Sequence, residues 1–433
     1  MNKRERAPLR GGNWNNGVNA GLGALNLNNA PSNRNSNIGF RPALDDARCR
    51  HLMGCGQCDL EKDAASSAIA EIKSAPLDAS LGDTFMQICS FDNLLAAAYA
   101  CRKGKTKAPA TLKFFHQLEE NVIQLHNELS WGMYQPAPYH HFYVFEPKRR
   151  LISAPHFRDR VVHRAIYNII EPLFDKTYLH DSYACRRGKG AHRGADRAQA
   201  FIRKTEAAHG KAYALKADIA RYFASIDHQI LKELLAAKIS CPRTENLLAF
   251  IIDSAPGQQL GAGIPLGNLT SQVFANVYLH ELDRFVKHTL RARNYVRYMD
   301  DFVIIHHDKD QLHRWRADIE RFLHASLRLR TNSKTQVFPV SVDGGRALDF
   351  LGYRIYAKHR LLRRCSVKRI KAKLKAYRRQ FAAGEIGVSA VQQNIQSWLG
   401  HASHANTYRL RQHLLAQPFI KKGQPNARTD LHI

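Results

Sequence analysis

Apolar residues recur at steps of three and four in some stretches of this chain and alternate with polar ones in others, so helices and strands are both predicted. In "TLKFFHQLEENVIQLHNELSWGMY", Leu118, Val122, Leu125 and Leu129 share one helical face. Just upstream, Ser90 or Asp92 is placed to cap a helix that ends at Arg102, Lys103 and Gly104. "DRVVHRAIYNIIEPLF" reads as a mostly buried helix expected to stop at Pro172. "HHFYVFEPKRRLISAP" reads as two strands around a basic turn begun by Pro147. "AYALKADIARYF" is strand-like over 213–224, and a helix should begin near Asp227. A Gly-rich loop and a long helix fill 257–289, a hairpin centres on "RYMDDFVIIHHD", and "LDFLGYRIYAKHRLLRR" gives another strand pair. Near the C-terminus Val367, Ile370, Leu374, Tyr377 and Phe381 form an apolar stripe. Lys368, Lys371, Lys375, Arg378 and Arg379 cover much of the remaining helix surface; an ordinary solvated helix would show the same pattern.

The first 48 residues have neither period. "NWNNGVNAGLGALNLNNAPSNRNSN" is dominated by asparagine, a poor former of helix and strand, and disorder is expected there. Residues 49–85 read as a low-pattern linker. From "CSFDNLLAAAYACRKGK" onward the texture changes to patterned segments.

Charge changes the picture. The chain has 433 residues and 65 Lys+Arg against 37 Asp+Glu, a formal net charge of +28. Such self-repulsion favours a polyanionic partner, nucleic acid before an anionic membrane. No apolar run is long enough to span a bilayer, so a soluble, cytoplasmic protein is expected. Eight scattered cysteines make no disulfide framework. Cys49, Cys55 and Cys58 lie near His51, yet no second CxxC exists, and free thiols are the plainer reading.

Asp300 and Asp301 are adjacent carboxylates flanked by strand residues, a costly arrangement because each repels the other. Strand neighbours point to opposite faces, so the pair can approach one site only at a tight hairpin tip. Asp218, at the end of another strand-like run, supplies a third acid. A divalent cation would relieve the repulsion, and hard oxygen donors suit magnesium. Three such groups around two Mg2+ ions would support phosphoryl transfer. A pair of aspartates in a simple turn is the bland alternative.

Taken together, the motifs resemble those of reverse transcriptases. "YMDD" after "NYVR" is similar to motif C, "LKADIARYFASIDH" to motif A, and "EPKRRLISAPHFRDRVVHRAI" to the fingers motif. "IPLGNLTSQVFANVYLHELDRFVK" is similar to motif B, "LRTNSKTQV" to motif D and "LDFLGYRI" to the primer grip. The resemblance implies an α+β right-hand polymerase: fingers over 86–212, palm over 213–356 with part of the fingers interleaved, and a helical basic thumb over 357–433. It implies metal binding by Asp218, Ile219, Asp300 and Asp301, with Lys334 as a proton donor to pyrophosphate. Lys148 and Arg150 would clamp the triphosphate. Phe223 would exclude a ribose 2′-hydroxyl, though an ordinary core aromatic would look alike. Gly267 would let the backbone approach the nascent base pair, beside Leu266 and Gln272. The thumb cations would hold an RNA–cDNA hybrid made from template RNA and deoxynucleoside triphosphates.

Motif B carries Leu266 where group II intron and retroviral relatives carry glutamine, followed by Ser271 and Gln272. "LGNLTSQ", "DSYACRRGKGAHRGADR" and "WLGHASHANTYRLR" resemble the reverse transcriptases of diversity-generating retroelements. That family implies cDNA mutagenised at adenines and a small basic accessory variability protein. It also explains the opening: asparagine codons begin with two adenines, so residues 1 to about 48 read as a translated template repeat, with initiation at Met53 or Met86. Leucine in place of an amide would loosen selection opposite template adenine, unless Leu266 merely packs. A group II intron-like or defence-associated reverse transcriptase, and a non-catalytic RNA-binding scaffold, are the rivals.

Overall fold

A computed structural model describes residues 83–145, 149–254, 261–340 and 345–416. The readings made for residues 1–82, including the Asn-rich extension, the linker and Cys49, Cys55 and Cys58, lie outside the described residues. So does Lys148.

The described chain opens with helices α1 (Thr84–Cys89), α2 (Phe91–Arg102), α3 (Pro109–His116) and α4 (Leu118–Ser130). Ser90 caps α2 by accepting from the Asn93 amide, and Gly104 past its end has φ +71. The helical stretch expected to run on through Leu118 is broken at Gln117, whose φ and ψ of −128° and 59° leave the helical region. The break lets both halves bury their own stripe: Phe114 from α3, and Val122, Leu125 and Leu129 from α4. Strands β1 (His140–Val144) and β2 (Arg150–Ala154) form an antiparallel hairpin, followed by α5 (Phe157–Asp175). Contrary to the expected stop, α5 continues through Pro172. A proline so near the end forfeits one backbone bond, and burial of Ile170 and Phe174 on either side holds the last turn.

Helix α6 (Ala191–His209) leads into β3 (Ala212–Asp218), and a single turn α7 (Tyr222–Ser225) precedes α8 (His228–Ala236) and α9 (Pro242–Asp253). The strand ends at Asp218, sooner than the run of apolar residues suggests, because Arg221 takes left-handed backbone and starts α7. Helix α10 (Leu269–Arg284) ends in a π-turn over Phe285–Thr289, and strands β4 (Tyr295–Tyr298) and β5 (Asp301–His306) make the expected hairpin. Helix α11 (Lys309–Leu327) and β6 (Gln336–Val340) complete the central sheet, in the order β4-β5-β3-β6. Strands β7 (Leu348–Phe350), β8 (Tyr353–Ile355) and β9 (Arg360–Leu362) form a separate antiparallel sheet, one strand more than expected. Helices α12 (Arg364–Ala382), α13 (Val388–Ala402) and α14 (Tyr408–Leu415) follow.

Strand alternation sorts the central sheet between two cores. Leu215, Ala217, Phe302 and Ile304 join the core built with α1–α5 and α8–α11. Ala212, Ala214, Val303 and Ile305 join the core shared with α6, β7–β9 and α12–α14. Ile370 and Leu374 of the α12 stripe are buried in that core, and Phe381 is buried as well, as their spacing requires. Among the described residues no helix is long and apolar enough to cross a membrane.

Candidate active site

Register brings the acids together. In the antiparallel β3–β5 pairing Asp218 stands directly opposite Asp301, and directly opposed residues point to the same face. Asp300 occupies the turn just before β5, after Met299, whose φ of +57° is left-handed and costly for a non-glycine residue. That strained turn is the tight tip that adjacent carboxylates require. The amide of Ile219 donates to the Asp300 carbonyl at 3.3 Å, tying the end of β3 to the turn.

The three acids share one electrostatic field. Burial, followed by the charges of Asp218 and Asp301, pushes the Asp300 carboxyl up to about 7. Burial likewise raises Asp301 to about 6; Lys216, whose Nζ lies 3.9 Å from its Oδ2, partly offsets this, while Asp218 adds to it. Asp301 Oδ1 is buried without a hydrogen-bond partner. Acceptor oxygens left unpaired beside like charges are suited to a hard divalent cation. Among the described residues, however, no three His, Cys, Asp or Glu side chains are drawn close enough to hold one ion as they stand. The carboxylates share a field, not a coordination sphere, as mutual repulsion dictates.

Behind the turn a buried ion pair has all its donors placed. Arg297, fully buried on β4, donates through Nε and Nη2 to the two oxygens of Asp283 at 2.6 Å each. Its remaining donors reach Asn276 Oδ1, Ser182 Oγ and, at 3.1 Å, the carbonyl of Met299. Tyr295 donates to Asp283 as well. The guanidinium thus grips the strained residue that carries Asp300. Sequence reading passed over Arg297 because its partner lies fourteen residues upstream on another element, α10. It also missed Asn332, whose amide donates to the Asp218 carbonyl at 2.6 Å and whose Nδ2 lies 3.5 Å from Asp218 Oδ2. An Asn within "RTNSKT", two residues before the singled-out Lys334, was the available signal.

The other expected site residues divide. Arg150, on β2, is near enough for its charge to act on Asp300. Phe223 is half-buried on α7 with its ring 5.5 Å from Tyr222, and its carbonyl accepts from the Ile264 amide. The Leu266 carbonyl accepts from the Ser153 amide at 3.1 Å. Gly267, at φ +137°, lies so close to β2 that an added Cβ would meet the Ser153 carbonyl oxygen at 2.5 Å. Its neighbour here is therefore strand β2, and the glycine is required to dock the loop before α10 on that strand. Gln272 lies half-buried in the first turn of α10. Lys334 is exposed in the turn before β6, with its amide bonded to Asn332 Oδ1. On α12, Lys368, Lys371, Lys375 and Arg379 are exposed, whereas Arg378 folds inward to donate to the Leu414 carbonyl. Arg378 thus joins α12 to α14, because its helical position faces that helix.

Comparison with known proteins agrees with this geometry. Residues 146–355 match the family described as reverse transcriptase (RNA-dependent DNA polymerase). Protein YkfC of Escherichia coli is 27% identical over 54% of this chain and 71% of its own length. The group II intron-encoded protein LtrA of Lactococcus lactis is 27% identical over 39% of this chain, but only 28% of LtrA is covered. A solved apo telomerase from Candida tropicalis overlays with a TM-score of 0.42 and 12% identity, covering 65% of this chain and 58% of that one. That likeness is too loose to carry an argument. The family match spans β2 to β8 and takes in all three acids, so this chain carries a reverse-transcriptase domain, the catalytic domain of RNA-directed DNA polymerases.

Proposed function

We propose that the protein copies RNA into DNA at the Asp218, Asp300 and Asp301 site, and that it does so as the reverse transcriptase of a diversity-generating retroelement. The observation that carries the catalytic reading is the face-to-face register of Asp218 and Asp301 beside the strained turn that holds Asp300. These three would hold two Mg2+ ions, with Ile219 fixing the strand end between them. When bound, the ions supply charge neutralisation at the attacking 3′-hydroxyl and at the departing pyrophosphate. The chain's own residues do the positioning. Arg150 meets the triphosphate with a fixed cation, and Lys148, two residues earlier in the sequence, would supply a second. Phe223 closes the space where a 2′-hydroxyl would sit, selecting deoxynucleotides. Asn332 steadies the Asp218 carboxylate, and Lys334 stands ready to protonate pyrophosphate. The regions 86–212, 213–356 and 357–433 act as fingers, palm and thumb. Exposed Lys368, Lys371, Lys375 and Arg379 face the hybrid's phosphates.

The retroelement assignment rests on Leu266 with Ser271 and Gln272 in motif B and on the adenine-rich codons implied by the opening asparagines. An apolar Leu266 leaves the nascent pair without a side-chain hydrogen-bonder, so selection opposite adenine loosens. A basic accessory variability protein would complete the machine. Primer extension with Mg2+ on an RNA template containing all four bases, with sequenced products, tests both levels. Errors concentrated opposite adenine, and reduced by Leu266→Gln, are expected. Faithful copying throughout would favour a group II intron-like enzyme, the reading supported by the LtrA likeness. No extension under any divalent cation would leave an RNA-binding scaffold.

A further inference from the structure

A second cationic cleft lies beside the small sheet. It measures about 470 Å³ and is lined by Gln199 and Arg203 of α6, Lys358 to Arg360 at the β8–β9 turn, and the loop from Ser403 to Asn406 between α13 and α14. No carboxylate lines it. Arg360 is partly engaged, by Asp196 at 2.6 Å and by the His404 carbonyl. Arg203 and Lys358 are exposed and, among the described residues, carry no ion pair. His359 lies flat against Tyr356, ring centroids 4.5 Å apart at 17°.

Strand register separates this cleft from the active-site face. Asp349, Arg354 and Leu361 form one row across β7, β8 and β9. Asp349 acts on Asp301 through its charge, and its backbone carbonyl accepts from Lys216, whose Nζ lies 3.9 Å from Asp301 Oδ2, so that row belongs to the catalytic side. Arg360 stands in the neighbouring row with Leu348 and Ile355, which points the other way.

The two sides nevertheless meet. A further cleft of about 510 Å³, lined by Arg354, Leu361, Arg364, Lys368 and Lys371 among others, shares Asn406 as a wall. Asn406 is stitched to β9, its amide donating to the Arg360 carbonyl at 2.8 Å and its Oδ1 accepting from the Arg360 amide at 3.2 Å. Thr407 Oγ1 donates to the Ala402 carbonyl at 2.6 Å and braces the same loop. The walls are pre-formed, which lowers the ordering cost of binding.

We infer that a nucleic-acid strand leaving the hybrid passes around the β9 edge and lays its phosphodiester backbone in the cleft of Arg203, Lys358 and Arg360, with a base resting on His359. Asp196 partly offsets Arg360, whereas Arg203 and Lys358 carry no ion pair among the described residues, and their repulsion is relieved when a polyanion arrives. A basic protein partner is repelled here for the same reason. The inference rests on the polymerase reading, because the strand in question is the RNA template or the cDNA.

The test uses the full chain and three primer–template duplexes: one blunt behind the polymerase, one with an RNA 3′ overhang, and one with a DNA 5′ overhang on the primer. The variant is Arg203→Gln with Lys358→Gln, neither residue being part of the catalytic machinery. One overhang should tighten wild-type binding, and the variant should lose that gain, on the order of tenfold at 0.1 M salt. Its salt dependence should be shallower by about 1.4 in log–log slope, roughly 0.7 for each lost phosphate contact. Which overhang responds identifies the strand. Blunt-duplex binding, extension rate and melting temperature should be unchanged. Equal loss on the blunt duplex, or no gain from either overhang, overturns the inference. Displacement by polyglutamate with no overhang effect overturns it too, assigning the cleft to an acidic protein. Failure of the wild type to extend the blunt duplex would instead defeat the polymerase reading.

Discussion

The turn at Met299 has two sides that handle charge in opposite ways. Behind it, Arg297 and Asp283 are fully buried and every guanidinium donor is placed. In front, Asp218, Asp300 and Asp301 crowd like charges together, and Asp301 leaves an oxygen unpaired. The first side follows the rules of stable packing and the second breaks them. Where a fold sets like charges side by side next to a fully paired ion pair, it is set up for chemistry.

The largest effect should come from the front. Asp218→Asn, Asp300→Asn or Asp301→Asn should each cut primer extension by roughly 10³-fold or more. Thermal unfolding of the same variants should stay level or rise, since repulsion is removed. A large drop in melting temperature would mean that the acids are structural. The back should behave in reverse. Arg297→Met strands Asp283 and should cost about 3–5 kcal/mol in denaturant unfolding. Pairing it with Asp283→Leu should restore most of the stability while extension stays slow, because the Met299 carbonyl has lost its anchor. Full recovery of the rate would show that the grip on the turn has no catalytic value.

Gly267→Ala probes how the front is assembled. Its Cβ would collide with the Ser153 carbonyl in backbone that side chains rarely adopt. A loss of about 3 kcal/mol is expected by chemical denaturation, together with slower extension as β2 and Arg150 are pushed away.

The smallest effect concerns neutral buried groups. Tyr353 Oη meets His192 Nδ1 at 2.7 Å and His401 Nδ1 at 3.1 Å, joining β8, α6 and α13. Burial, then the charge of His404, holds both histidines at about 3. Unfolded, they protonate near 6.5, so between pH 6.5 and about 3 the unfolded chain binds more protons and stability falls as the pH falls. The loss should reach about 2 kcal/mol for each by pH 5, and urea titrations of His401→Gln should show a flatter pH profile.

How much of this could be read beforehand depends on the range of each interaction. The α2 cap, the α12 stripe and the β4–β5 hairpin are local, and their residues lie within a few positions of one another. The acids were legible because adjacent carboxylates in an apolar strand are locally anomalous, although the Asp218–Asp301 register is a tertiary fact. The Gln117 break and the passage of α5 through Pro172 depend on packing that overrides local preference. Arg297 with Asp283, Asn332 with Asp218, and Gly267 with Ser153 are pairs between distant elements, and spacing along the chain carries no trace of them. Arg378 was placed with its cationic neighbours because periodicity does not say which helix lies alongside.

Strand β3 is bonded to β5 on one side and to β6 on the other along most of its length. At Asp218 itself the strand is held by Asp301 of β5 on one side and by the Asn332 amide, which donates to the Asp218 carbonyl at 2.6 Å, on the other, so it cannot yield without dragging both along. On the proposed reading, the adjustments that accompany nucleotide entry and release fall to the surrounding loops and helices, and this fixed post lets each addition begin from the same atomic arrangement as the one before.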